Sequence, residues 1–209
     1  MPPSASLDRS TIVDAALAIL EREGAEGLTM RRLADDLGSK PMTLYHYVPN
    51  KTALLALALS EVAARIDWVE PTGPPRERLI AIAVDMRDRL GAIPWIVSIL
   101  EEGTIVGTPA LAIADRFLDA AYELGADDQT ALDLWRMIWS LTVSDIRWAE
   151  LARHRESGKQ GWFDTIDPAI VAGYPHVSAI LPKWRRIVDG FDVRRAFAAQ
   201  IDGMLGLAG

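Results

Sequence analysis

The sequence predicts an all-α protein. Three observations carry that expectation. Apolar residues recur at three- and four-residue spacing along nearly the whole chain, no stretch alternates in the two-residue rhythm of a strand, and glycines and prolines fall where helices should stop and start. The 209 residues leave room for one or two domains with a real core, and half of them are apolar with 24% charged.

Asp8 or Ser10 can cap a first helix running to about Glu23. Its apolar stripe is Ile12, Ala15, Ala16, Ile19 and Leu20, and Gly24 ends it. Thr29 caps a second helix whose inner face is Leu33, Ala34 and Leu37, with Arg31, Arg32, Asp35 and Asp36 outside. Gly38 stops it, being the residue type that best adopts the left-handed conformation at a helix end. Ser39 is placed to cap a third helix, roughly Lys40 to Tyr47, where Pro41 is tolerated because a first-turn amide needs no partner. This third helix is too short and polar for a core element. It buries Leu44 and Val48 and presents its remaining side chains elsewhere.

Asn50 then caps a longer helix to about Trp68. It is apolar on most sides in its first half, as a connector buried between two layers should be. Pro71-Thr72-Gly73-Pro74-Pro75 is the clearest internal breaker. Beyond it we expect a helix from Arg76 to Leu90, with Leu79, Ile80, Ala83, Val84 and Met86 inward. A short apolar helix from Pro94 through Leu100, a loop from Glu102 to Thr108 and a helix from Pro109 to Leu124 follow. A long helix capped by Asp127 or Asp128 reaches Arg153, and residues 154–168 read as a polar loop. A short helix is expected over Tyr174–Trp184 and a last one over Phe191–Leu205.

A helix, a glycine turn and a short polar helix make the helix-turn-helix arrangement, whose second helix enters the DNA major groove. Thr, Tyr and Lys can bond phosphates, and the first residues of that helix can reach base edges. The particular residues matter more than the pattern. The run T-x-R-x-L-A-x-x-L-G from Thr29, followed by T-L-Y-x-Y-V-x-N-K ending at Lys51, resembles the N-terminal domain of the TetR family of transcriptional repressors. The likeness spans Leu7 to about Arg65 and includes the first-helix run A-A-L-x-I-L at Ala15–Leu20. The rest of the chain matches only in size and helical character.

The resemblance implies a three-helix DNA-binding module at residues 1–49 and a larger helical domain at 50–209 that binds an effector and dimerises. It also implies a set of DNA contacts. Thr29 and Arg31 would meet the backbone, and Lys40, Pro41, Met42 and Thr43 would face bases. Tyr45, His46 and Tyr47 would touch phosphates or thymine methyls, and Lys51 would hold a phosphate. The Lys-Pro-Met start offers no Gln, Asn or Arg for a bidentate base contact. Readout therefore leans on Lys40 and on DNA shape.

The net charge of −7 speaks against nucleic-acid binding only until it is divided. Residues 1–66 hold 7 basic and 8 acidic side chains, and the remainder 15 and 21. Leu28 to Lys51 holds 4 against 2. Phosphate neutralisation is local, so a small basic face suffices. Zero cysteines exclude disulfides and thiolate metal sites and agree with a cytoplasmic location. The N-terminus has no basic region followed by an apolar one. The longest uncharged stretch, Pro168 to Pro182, holds three prolines and cannot span a bilayer, so a soluble protein is expected.

No phosphate loop, nucleophile elbow or H-E-x-x-H motif occurs, and an enzyme has no positive support. His46, His154 and His176 stand at no metal spacing, so neither a metal nor a cofactor is expected. Within this family, antibiotic-chelate sensors use histidines, and the gap between His46 and His154 argues against a magnesium-chelate ligand. Seven tryptophans, all at or beyond the end of the connector, point instead to an aromatic-lined chamber. Its expected lining is Trp95, Leu100, Phe117, Trp135, Trp139 and Trp162, against the plainer reading of a solid core.

The function expected is that of a homodimeric repressor that binds a palindromic operator in double-stranded DNA and is released by a small apolar or aromatic effector. Dimerisation is expected through Asp128–Arg153 and Phe191–Leu205, because the last helix carries more apolar residues than a lone terminal helix should expose. The alternatives are a helical protein-binding adaptor, in which Tyr45 and Tyr47 pack inward, and a small-molecule enzyme built on the large domain.

Overall fold

A computed structural model describes residues 7–93, 95, 96, 99, 108–153 and 165–207, and those residues are helical with no strand. The elements are α1 (Arg9–Gly27), α2 (Met30–Asp36), α3 (Pro41–Tyr45), α4 (Lys51–Arg65), α5 (Pro75–Gly91), α6 (Thr108–Glu123) and α7 (Asp128–Arg153). Three short helices follow, α8 (Pro168–Val171), α9 (Pro175–Ile180) and α10 (Trp184–Asp189), with a 3-10 turn at Leu181–Lys183 between the last two. The chain closes with α11 (Val193–Leu205).

Side-chain caps fix several of the starts. Asp8, rather than Ser10, caps α1 by accepting from the Thr11 amide at 2.8 Å, and its carboxyl is held below the usual range by that bond and by the Ser10 and Thr11 hydroxyls. Asn50 Oδ1 accepts from the Ala53 amide at 2.8 Å, Asp127 from Thr130 at 2.8 Å and Asp192 from Arg195 at 3.1 Å. Gly24 sits at φ +70 and breaks the helical path of α1 where the sequence places a stop, with a further turn beyond it.

α1, α2 and α3 form one packed unit with Ile12, Ala16, Leu20, Leu33, Ala34 and Leu44 at 0% or 1% exposure inside it. Each of the leucine and isoleucine side chains among them contributes about 1.5–3 kcal/mol on burial. α4 packs on α1 from its first residue, Lys51 against Ala25, to its last, Arg65 beside Asp14, and it packs on α6 as well. Leu54, Leu55, Ala58, Leu59 and Ala63 are its buried face, so it touches both layers as a connector must. It stops at Arg65, short of Trp68, whose indole instead turns back to donate to the Ala63 carbonyl at 3.0 Å.

α5, α6, α7 and α11 make the core of the larger bundle. α5 buries Leu79, Ile80, Ile82, Ala83, Met86 and Leu90, while Val84 is only half-buried. Arg76 grips Asp202 of α11 with Nε at 2.6 Å and a terminal nitrogen at 2.7 Å, and Arg87 reaches Asp145 of α7 at 2.7 Å.

The region after residue 165 differs from expectation. The single helix expected over Tyr174–Trp184 is a series of short pieces, because Pro175 and Pro182 each restart the chain after a turn. The last helix starts at Val193 and buries Phe197 and Ile201 against α5 and α7. The apolar stripe that was expected to face a second subunit is thus spent largely within this one. The exposed apolar side chains lie elsewhere. Leu132, Met137, Trp148 and Leu151 are on α7, and Ile170, Tyr174, Ile187 and Phe191 are along 168–191. Most of the expected helix from Pro94 and the 102–108 and 154–168 loops falls outside the described residues.

Candidate nucleic-acid interface

Thr29 Oγ1 accepts from the Arg32 amide at 3.0 Å and so fixes the first turn of α2. At the other end the Ser39 amide bonds the Ala34 carbonyl at 2.9 Å and the Gly38 amide bonds Asp35 at 3.1 Å. That pairing is the Schellman motif, and it requires the left-handed residue that Gly38 supplies at φ +60. The turn leaves Ser39 engaged through its backbone. The N-cap of α3 is Lys40, with no side-chain cap, which corrects the role given to Ser39.

α3 covers five residues, shorter than the sequence implied, and Pro41 occupies its first turn. Leu44 and Val48, both 0% exposed, anchor its inner side in the module's core. This leaves a definite outer face. Met42 is 71% exposed and Tyr45 45%, Lys40 and His46 are also exposed, and Pro41 and Thr43 are half-buried. The two tyrosines divide: Tyr45 is free to meet a partner, while Tyr47 packs partly on the core.

The basic groups divide too. Arg32 is committed to Asp36 at 3.0 Å and Glu23 at 3.2 Å. Among the described residues neither Arg31 nor Lys40 has an ion pair or hydrogen bond through its side chain, so both cations face solvent. Lys51 is half-buried and its ammonium donates to the Ala25 carbonyl at 2.7 Å. Three N–H groups sit on that ammonium, so two stay available to a phosphate. Sequence reasoning missed Arg9. Its guanidinium donates to the Tyr47 carbonyl at 3.4 Å, bringing a further cation to the end of α3 from 38 residues away. No local signal could have placed it there.

An open groove of about 780 Å³ separates α1 from α4, walled by Arg9, Asp14, Leu57, Glu61 and Arg65. Arg65 spans it, 3.6 Å from Asp14 and 2.9 Å from Glu61, and so ties the connector to the module.

In the larger domain, Phe117 and Trp135 meet with ring centroids 5.2 Å apart and planes tilted by 59°. Phe117 and Trp95 are buried, and Trp135 and Trp139 are half-buried against the same core. Leu100 and Trp162, the remaining expected lining residues, lie outside the described residues. The void beside Trp68, between Ile82, Asp85, Ile113 and Arg116, is about 10 Å³, too small for more than a water.

The family model of the bacterial regulatory proteins of the tetR family matches residues 12–58. The class A tetracycline repressor from transposon 1721 of Escherichia coli is 31% identical over 201 residues, 95% of this chain and 87% of that protein. The chain belongs to the TetR family. The transcriptional repressor DrrR1 of Streptomyces coeruleorubidus is 33% identical over 147 residues, 69% of this chain, and the match spans only 54% of that protein's length. The crystal structure of the Streptomyces coelicolor TetR family protein ActR in complex with actinorhodin shares the fold, with a TM-score of 0.78 at 22% identity over 98% of this chain and all of that one.

TetR membership makes this chain a helix-turn-helix transcription regulator with a helical C-terminal domain. The matched span runs from α1 into α4, so it contains every residue from Thr29 to Lys51 that the sequence marked for DNA. No helix among the described residues is long and apolar enough to cross a membrane.

Proposed function

We propose that this TetR-family chain is a ligand-responsive repressor that binds a palindromic operator as a homodimer and is released by a small apolar or aromatic effector. One observation carries the reading: α3 is held from within by Leu44 and Val48 while Lys40, Met42, Tyr45 and His46 stand outward. Residues 1–49 act as the DNA-reading module and 50–209 as the effector and dimer domain, and repression takes place in the cytoplasm.

The contacts sort by chemistry. Arg31, Lys51 and the Thr29 hydroxyl position the module on phosphates, with Tyr45, His46 and Tyr47 beside them. Lys40, Pro41, Met42 and Thr43 meet base edges and thymine methyls. A single short recognition helix covers few base pairs, so specificity needs two, about 34 Å apart on successive major-groove faces. Support for the dimer comes from α7, where the exposed Met137, Trp148 and Leu151 fall on one stripe with the half-buried Leu141 and with only serines between them at that spacing. Two copies of that stripe meeting on a two-fold axis would cover it.

Release follows from the connector. α4 packs on both α1 and α6, so a tilt of α4 driven from the larger domain carries the three-helix module and its recognition helix with it. An effector that fits between the tryptophans of the larger domain only in the tilted state shifts the equilibrium by its differential affinity. A coupling of about 1–3 kcal/mol changes operator affinity roughly 5–150-fold. The relatives' printed ligands agree in kind: actinorhodin in ActR, tetracycline in the name of the class A repressor.

The test is genomic footprinting with the purified protein, followed by titration of flat aromatic compounds against the recovered operator. Tryptophan quenching and operator release should saturate together. If no near-palindromic site were protected, the reading would fail. If Trp139→Ala abolished quenching but left release intact, the chamber would not be the sensor.

A further inference from the structure

Thr142 is the one buried polar side chain among the described residues, at 0% exposure, and its Oγ1 has no hydrogen-bond partner. A hydroxyl inside a helix commonly bonds the carbonyl one turn back. Ser140, two residues earlier on α7, does so, with Oγ 2.9 Å from the Arg136 carbonyl. Thr142 does not use the corresponding carbonyl of Ile138, and its neighbours on the same inward stripe, Ile138 and Ile146, are apolar. An unpaired buried hydroxyl is costly, and each one in a folded protein calls for a reason.

Its position gives one. Thr142 follows Trp135 by seven residues and Trp139 by three, so at helical spacing all three share one side of α7. α5 lies across from this stretch. Arg87 of α5 pairs with Asp145 at 2.7 Å, and a methyl added at Gly91 would sit 3.6 Å from Ile146. The Arg87 and Asp145 charges are spent on each other, and the α7 side chains that share a side with Thr142, namely Trp135, Ile138, Trp139 and Ile146, are aromatic or aliphatic.

We infer that Thr142 is the polar anchor of the effector site. The effector class is then a neutral, planar aromatic molecule bearing a ring carbonyl, which accepts a hydrogen bond from Thr142 Oγ1 while its rings lie against Trp135 and Trp139. This rests on the effector reading above and narrows it to a chemical class. The hydroxyl is enclosed in the ligand-free chain, so a ligand reaches it by parting α7 from α5. That is a movement a release mechanism can use, because α5 is the next helix after the connector.

The experiment compares 9-fluorenone with fluorene, which have nearly the same shape and differ by one carbonyl. Each is titrated into the full-length protein by tryptophan quenching, with operator release followed in parallel. The wild type should bind fluorenone about fivefold to tenfold more tightly, the value of one neutral hydrogen bond. Thr142→Val keeps the shape and removes the hydroxyl. It should bring the two affinities together, leave fluorene binding unchanged, and leave the melting temperature of the ligand-free protein unchanged or higher. Thr142→Ser should keep the preference. Equal affinities in the wild type, or a preference that survives Thr142→Val, would overturn the assignment while leaving the effector reading intact. A Thr142→Val protein that melts lower or fails to fold would show the hydroxyl to be structural. If neither probe quenched fluorescence or released operator, the aromatic effector reading would fall together with this one.

Discussion

Lys51 Nζ donates to the Ala25 carbonyl at 2.7 Å, a bond between the first residue of α4 and the last turn of α1. The two residues bracket the helix-turn-helix, so one ammonium closes the module on its connector. The same ammonium is the group proposed to meet a phosphate, and it is held in place before DNA arrives.

Replacing Lys51 with Ala should therefore act twice. Binding should weaken about equally for all duplexes, with the salt slope reduced by roughly one unit. The module should also lose about 0.5–1.5 kcal/mol of stability, measured by urea unfolding. Unchanged affinity for every duplex at low salt would show that Lys51 touches no phosphate.

Thr43 and Lys40 should behave differently from Lys51. Thr43→Val or Lys40→Ala should cost about 1–3 kcal/mol on the preferred operator and far less on random DNA, so the specificity ratio falls. A selection from randomised duplexes would show which base position each one reads. If both variants kept the wild-type preference, α3 would not be the reading element.

Charge on the outward stripe of α7 should separate the subunits. Trp148→Asp or Leu151→Asp places a carboxylate in an apolar contact and should weaken the dimer by at least about 2 kcal/mol, roughly thirtyfold. Sedimentation at micromolar concentration reads this directly, and operator binding should fall with it. Both side chains are exposed in the single chain, so its folding should be little affected. A wild type that sediments as a monomer at that concentration would count decisively against the proposal.

The Arg76–Asp202 fork gives a pH dependence of known sign. The Arg76 guanidinium holds the Asp202 carboxyl below its ordinary value of 3.8, which is a depressed folded-state pKa. Its contribution is complete above the unfolded value, near pH 4, and is lost as the pH falls through the folded value. Asp202→Asn should lower the melting temperature at neutral pH, and the gap from wild type should narrow below about pH 4. A gap of constant size from pH 7 to pH 2.5 would mean that the fork carries no linked proton.

What the sequence determined was decided over short distances along the chain. Asp8, Thr29, Asn50 and Asp192 each accept from an amide three residues ahead, and Gly38 supplies a backbone angle that other residues resist. Covalent geometry and single-residue chemistry set those outcomes, so several helix starts, the turn and the motif could be read before any fold was known, although the cap expected of Ser39 fell to Lys40 and the last helix began at Val193 and not Phe191. Tertiary structure decided which partner each group took. Phe197 and Ile201 turned inward because α5 and α7 were there to receive them, although the same stripe could have faced a second chain. Arg32 went to Glu23 and Asp36, while Arg31, beside it, took no partner among the described residues. Arg9 came to Tyr47 and Lys51 to Ala25 across 38 and 26 residues. Thr142 was buried with its hydroxyl unpartnered. Packing is a contest among distant surfaces, and periodicity names the contestants without naming the pairs.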